Sequence, residues 1–147
     1  MRRQKICYLS GKISGLGRET YLARFAHAEE ILKREGFAVI NPTKFAPCRW
    51  PWLYNILGYE LTLLYDLWHL WRRADRIFLI PGWQDSKGAR IESFTAHVLG
   101  IYQLPHGKKD ELEKEMKEWM EKYEADHELQ PPHRPKFTND PASLSFF

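Results

Sequence analysis

Four short apolar runs set the terms for this chain. "KICYL" at 5–9, "FAVI" at 37–40, "RIFLI" at 76–80 and "IYQL" at 101–104 each have the length and the β-prone content of a single strand. Between them the period changes to that of a helix. Leu22, Phe25, Ala28 and Leu32 recur at three- and four-residue steps, with Gly36 as the stop after "KRE". Leu53, Ile56, Leu57, Leu61 and Leu64 share one helical face of a stretch that runs to Arg73, and "ARIESFTAHVLG" is closed by Gly100. A chain ordered βαβαβαβ builds a parallel sheet, because each crossover helix must return to the same end of the next strand. The expected fold is α/β, a Rossmann-like (flavodoxin-like) parallel sheet of four to five strands with helices on both faces. Ligands of such sheets sit beyond the carboxyl ends of the strands.

At 147 residues this is one domain of ordinary size. The α/β pattern occupies 1–106, and the composition then shifts. "KKDELEKEMKEWMEKYEADHE" reads as a charged helix and "LQPPHRPKFTNDPASLSFF" as a Pro-rich extended tail without a fold of its own. The first 107 residues carry 15 basic against 9 acidic side chains, and the remainder 7 against 10. A basic core can attract phosphates, or simply be a solvated surface. No apolar run approaches the roughly 20 residues that span a bilayer, and "MRRQKICYLSG" is no export signal. Cys7 and Cys48 are too few for a disulfide framework or a zinc site, so a reducing cytoplasm is expected, with no cofactor. His27, His69 and His97 stand singly on separate helices, which argues against a metal, and no G-x-S-x-G elbow serves a serine nucleophile.

The chemistry-bearing residues gather at two glycine-rich stretches, "LSGKISG" after the first strand and "GWQDSKGA" after the third. Both fall where a parallel sheet presents its strand ends to one crevice. Ser10, Gly11, Lys12, Ile13, Ser14 and Gly15 form either a tight turn or a backbone cradle for a phosphate, with Arg18 just beyond. Asp85 or Ser86 is the expected N-cap of the next helix, followed by Gly88, so a capping-box acid belongs at Gly88 or Ala89 and capping does not account for Glu92. Set among Ala89, Ile91, Phe94 and Ala96, Glu92 is exposed, paired or functional. The helix N-terminus is expected to hold it ionised. Tyr8, two residues before Ser10, is a core aromatic or a crevice hydroxyl, and Asp66, among Leu64, Leu67 and Trp68, needs a partner. Asp75 reads as a helix-to-strand loop acid. Trp50, Trp52 and Trp83 are packing anchors or stacking surfaces for a base.

Taken together, "CYLSGKISG", "GFAVINP", "RADRIFLIPGW" and "DSKGARIESFTAHVLG" resemble the nucleoside 2-deoxyribosyltransferase-like superfamily, in particular its branch called domain of unknown function 4406, over about 5–105. The resemblance implies that Glu92 is the nucleophile that attacks the anomeric carbon of the sugar. It implies that Ser86 contacts a phosphate, as in deoxynucleoside 5′-monophosphate N-glycosidases, that Tyr8 positions the sugar and nucleophile, and that Gly11 to Gly15 is a phosphate loop. Two departures stand out. Asp66 precedes Asp75 by nine residues where the family has eight, which displaces it about 100° around a helix, and Ser14 stands where the hydrolases carry an arginine, a charge that Arg18 or Lys12 could replace.

The function expected from this resemblance is hydrolysis of the base–sugar bond of (deoxy)nucleoside 5′-monophosphates, with Glu92, Tyr8 and Asp66 catalytic. The alternatives are a nucleoside 2-deoxyribosyltransferase and a nucleotide-binding or sensing module without turnover. A small nucleotide or nucleoside is the implied partner, with neither a membrane nor a nucleic acid polymer. Relatives imply at least a homodimer.

Overall fold

The computed structural model describes residues 3–13, 15–44 and 63–128. The element order is β1 (Ile6–Ser10), α1 (Arg18–Arg34), β2 (Ala38–Ile40), a helix α2 described over 63–73, β3 (Arg76–Leu79), α3 (Lys87–Val98), β4 (Tyr102–Gln103) and α4 (His106–Glu128). Short 3-10 turns follow β2, at Pro42–Lys44, and β3, at Trp83–Asp85.

The four strands form one parallel sheet in the order β2-β1-β3-β4. Cys7 lies opposite Val39 on one side and Arg76 on the other, and Arg76 lies opposite Tyr102. The expected α/β architecture is therefore the observed one. Because the chain turns outward from β1 in both directions, the loops after β1 and β3 diverge and leave a crevice between them.

Period-two alternation sorts the core into two layers. Cys7, Leu9, Phe78 and Ile80 face α1 and α4, meeting Phe25, Ala28, Ile31, Leu32, Leu112 and Met116. Tyr8, Ile77 and Leu79 face the other way, onto Leu70 of α2 and Ala96 of α3. The charged helix α4 thus shares a core with α1, and its Leu112 and Met116 are fully buried. Arg34 makes a two-pronged bond to Glu115 at 2.8 and 2.6 Å across that pair, and Arg24 reaches Glu124 at 2.7 Å.

Two helices end by the same device. Gly36 and Gly100 adopt φ of 92° and 72°, a left-handed conformation costly for a residue with a Cβ. The next residue in each case donates back into the helix, Phe37 to Leu32 O and Ile101 to Ala96 O. Each cap turns the chain straight into the following strand. Asp75 does comparable work at this same amino end of the sheet, where its Oδ2 accepts from the Ile6 N–H at 2.9 Å. No helix of the described residues is long and apolar enough to cross a membrane.

Candidate functional site

The crevice is built from strand alternation. Tyr8 and Ser10, two residues apart, point to the same face of β1, that of α2 and α3, and both are buried. The chain then makes its turn at Gly11 directly under β3: a Cβ there would stand 3.0 Å from Ile80 Cβ. Only glycine lets the two strand ends approach so closely, and Ile80 N–H donates to Ser10 O at 2.8 Å across them.

On the other wall, Ser86 is the N-cap of α3, and its Oγ accepts from the Ala89 N–H at 3.3 Å. Glu92 lies in the second turn of α3, 8% exposed, and so beyond the reach of the cap. Its pKa is pushed up to about 8, first by burial and then by the charge of Asp66, while Tyr8 and Ser10 oppose the shift as hydrogen-bonding neighbours. The approach of Ser10 stops short of a closed bond. Neither Ser10 Oγ nor Glu92 Oε2 has a partner in full hydrogen-bond geometry among the described residues.

One expectation is overturned here. The start of α3 does not hold Glu92 ionised: the first turn contains no acid, Glu92 sits past it, and desolvation dominates. Asp66, on α2, is likewise pushed up to about 7 by burial. The charge of Asp66 adds to the upward shift of Glu92. The two carboxyls form one coupled pair. The extra residue between Asp66 and Asp75 does not carry Asp66 away from Glu92.

The remaining candidates divide. Lys12 is half-buried in the loop after β1, Gly15 turns at φ 80°, and Arg18 opens α1 in solvent. Ile13 packs on the α1 and α4 core and so serves the fold. Trp83 packs against the edge of the second core, Asp85 is exposed, and Gly88 is the second residue of α3. Ser14, Trp50 and Trp52 lie outside the described residues. Among the described residues no group of three or more acidic, histidine or cysteine side chains is placed to hold a metal.

A second buried cluster was not foreseen from the sequence. Glu29 of α1, 6% exposed, accepts from Asn41 at 3.0 Å and pairs with Lys33 and Lys44 at 2.9 and 2.8 Å. Burial pushes its pKa up, but the bonds from Lys44, Asn41 and Lys33 outweigh burial and bring it down to about 2. Asn41 also accepts from the Thr43 N–H at 3.0 Å. The cluster fixes the turn after β2 at the same carboxyl edge as the crevice. The signal in the sequence was an acid flanked by Phe25, Ala28 and Leu32.

No curated protein and no solved structure matches the chain. The family described as Domain of unknown function (DUF4406) matches residues 5–103, from the first strand through the fourth and across every part of the crevice. The chain belongs to the DUF4406 family.

Proposed function

We propose that this protein hydrolyses the N-glycosidic bond of (deoxy)nucleoside 5′-monophosphates. The observation that carries the reading is the Asp66–Glu92 pair: two coupled carboxyls, Glu92 buried and Asp66 partly so, whose pKa values are raised to about 7 for Asp66 and about 8 for Glu92. Two carboxyls holding a single proton between them are what glycoside cleavage requires, one ionised to attack and one protonated to donate.

In the reactive form the proton sits on Asp66 and Glu92 is charged. A Glu92 oxygen bonds to the anomeric carbon as the carbon–nitrogen bond breaks. The electron pair leaves with the base, which takes the Asp66 proton. Water then attacks the same carbon, gives its proton to Asp66, and frees Glu92. Cationic character at the sugar favours the charged carboxylate beside it, which offsets part of the burial cost that raises the Glu92 pKa at rest. Tyr8 positions the nucleophile. The Gly11–Gly15 loop with Lys12 and Arg18, together with Ser86 and Gly88 at the start of α3, suits a 5′-phosphate, since free backbone N–H groups and the positive end of a helix favour an anion. The likeness to nucleoside 2-deoxyribosyltransferase-like proteins supports the same assignment, along with a homodimer or larger assembly working in a reducing cytoplasm without a cofactor.

Incubation with a panel of nucleoside 5′-monophosphates, with free base measured by chromatography, tests this directly. Base release that disappears in Glu92→Ala supports it. A new nucleoside formed on adding a second free base identifies a transferase instead. Nucleotides that raise the melting temperature yet stay intact identify a binding module.

A further inference from the structure

The far side of α3 carries a second concavity. It has a volume of about 800 Å³ and lies between α3, β4 and the start of α4. Arg90, Phe94 and His97 line it, and by helical geometry they stand roughly 140–200° around α3 from Glu92. The helix therefore separates this hollow from the crevice.

Its lining is unusual in sign. Arg90, His97, His106 and Lys109 all contribute, and no carboxylate does. Lys109 pairs with Glu113 at 3.7 Å, a loose contact. The aromatic content is high as well: Phe94 is 69% and Tyr102 70% exposed, large apolar surfaces not covered by any of the described residues. Tyr102 and Gln103 belong to β4, the edge strand among the described residues, so backbone donors and acceptors border the same space.

We infer that this hollow binds a small anion carrying a planar aromatic ring, of the nucleotide class, at a site separate from the Glu92 crevice. A bare phosphate would leave the rings of Phe94 and Tyr102 wet. An uncharged apolar guest would bury Arg90 and Lys109 without a counter-charge, which is costly. A phosphorylated nucleoside satisfies both, its ring against the aromatic faces and its charge beside the cations. The volume is that of an ordinary small-ligand site. Trp83 lines the hollow and also belongs to the turn that leads to Ser86, so an occupant here would touch the wall of the crevice from behind.

The test is calorimetric titration of the full chain with ADP, and separately with adenosine and inorganic phosphate. ADP is expected to bind, and each half-probe about tenfold or more weaker. Phe94→Ala and Lys109→Ala, both at accessible positions, should each weaken ADP about tenfold with the melting temperature held, whereas Ser86→Ala in the crevice should leave the binding in place. Absence of ADP binding overturns the inference, as does full affinity in both variants. So does self-association that Phe94→Ala abolishes and ADP leaves untouched, because the face then belongs to a second copy. None of these readouts depends on turnover at Glu92.

Discussion

After burial itself, the charge of Asp66 is the strongest influence raising the pKa of Glu92, although the two residues lie 26 positions apart on different helices. The crossover through β3 brings them to one end of the sheet. Their joint titration has a kinetic consequence. The one-proton form is most populated between the two steps, near about 7 and about 8. The rate of base release against pH should therefore be a narrow bell with its maximum between those values. Asp66→Asn should remove one limb and lower kcat by about 10²- to 10⁴-fold. A profile flat from pH 5 to 9 would dismiss the pair as acid and nucleophile.

Glu92 should also cost stability. Its folded pKa of about 8 lies above the ordinary carboxylate value of about 4.3, so the folded state binds the proton more tightly than the unfolded chain. Its contribution to stability is therefore greatest below about pH 4, falls as pH rises through the folded value, and then levels. Glu92→Gln, neutral at every pH, should raise stability at pH 8 by on the order of 2 kcal/mol while abolishing base release. Thermal melts at pH 5 and pH 8 measure the difference, which should shrink at the lower pH.

Glu29 has the opposite sign. Its carboxyl is held down to about 2, so its contribution is present above the unfolded value and is lost as pH falls through the folded one. Glu29→Ala leaves Asn41 and Lys44 without their shared acceptor and should cost about 2 kcal/mol at pH 7, with much less difference near pH 2. Urea denaturation at the two pH values is the measurement.

Much of this was legible beforehand because it rests on local periodicity. The four strands appeared within a residue or two of their places, and Gly36 and Gly100 marked their helix ends, since a left-handed cap leaves a glycine in the sequence. Glu92 stood out because a capping rule failed to explain it. What escaped was long-range. Glu92 is raised by its burial and by the charge of Asp66, against the hydrogen-bonding pull of Tyr8 and Ser10 of β1, and none of these residues is near it in sequence, so the helix-end argument missed the upward shift. The Glu29 cluster escaped for a like reason, its bond to Asn41 joining α1 to the end of β2.

Gly11→Ala should be harmful without any change of charge. The added methyl would press on Ile80 Cβ at 3.0 Å, which is fixed to the backbone, and on the terminal Cδ1 at 3.2 Å. The expected loss is about 1–3 kcal/mol, read from chemical denaturation. A melting temperature equal to that of the parent protein would show that the strand ends yield more readily than their packing implies.

Leu112→Ala should cost about 2–5 kcal/mol, the range for truncating a fully buried leucine. A loss below about 0.5 kcal/mol, seen in the same denaturation assay, would mean that α4 only rests on the surface.

That packing separates inheritance from cohesion. The family's hallmark stops at 103, but the layer that shields Cys7, Phe25 and Phe78 from water is completed by side chains of α4, beyond that limit. Relatives that lack such a helix must cover the same strand face by other means. In this chain the family portion alone would be born with one flank bare.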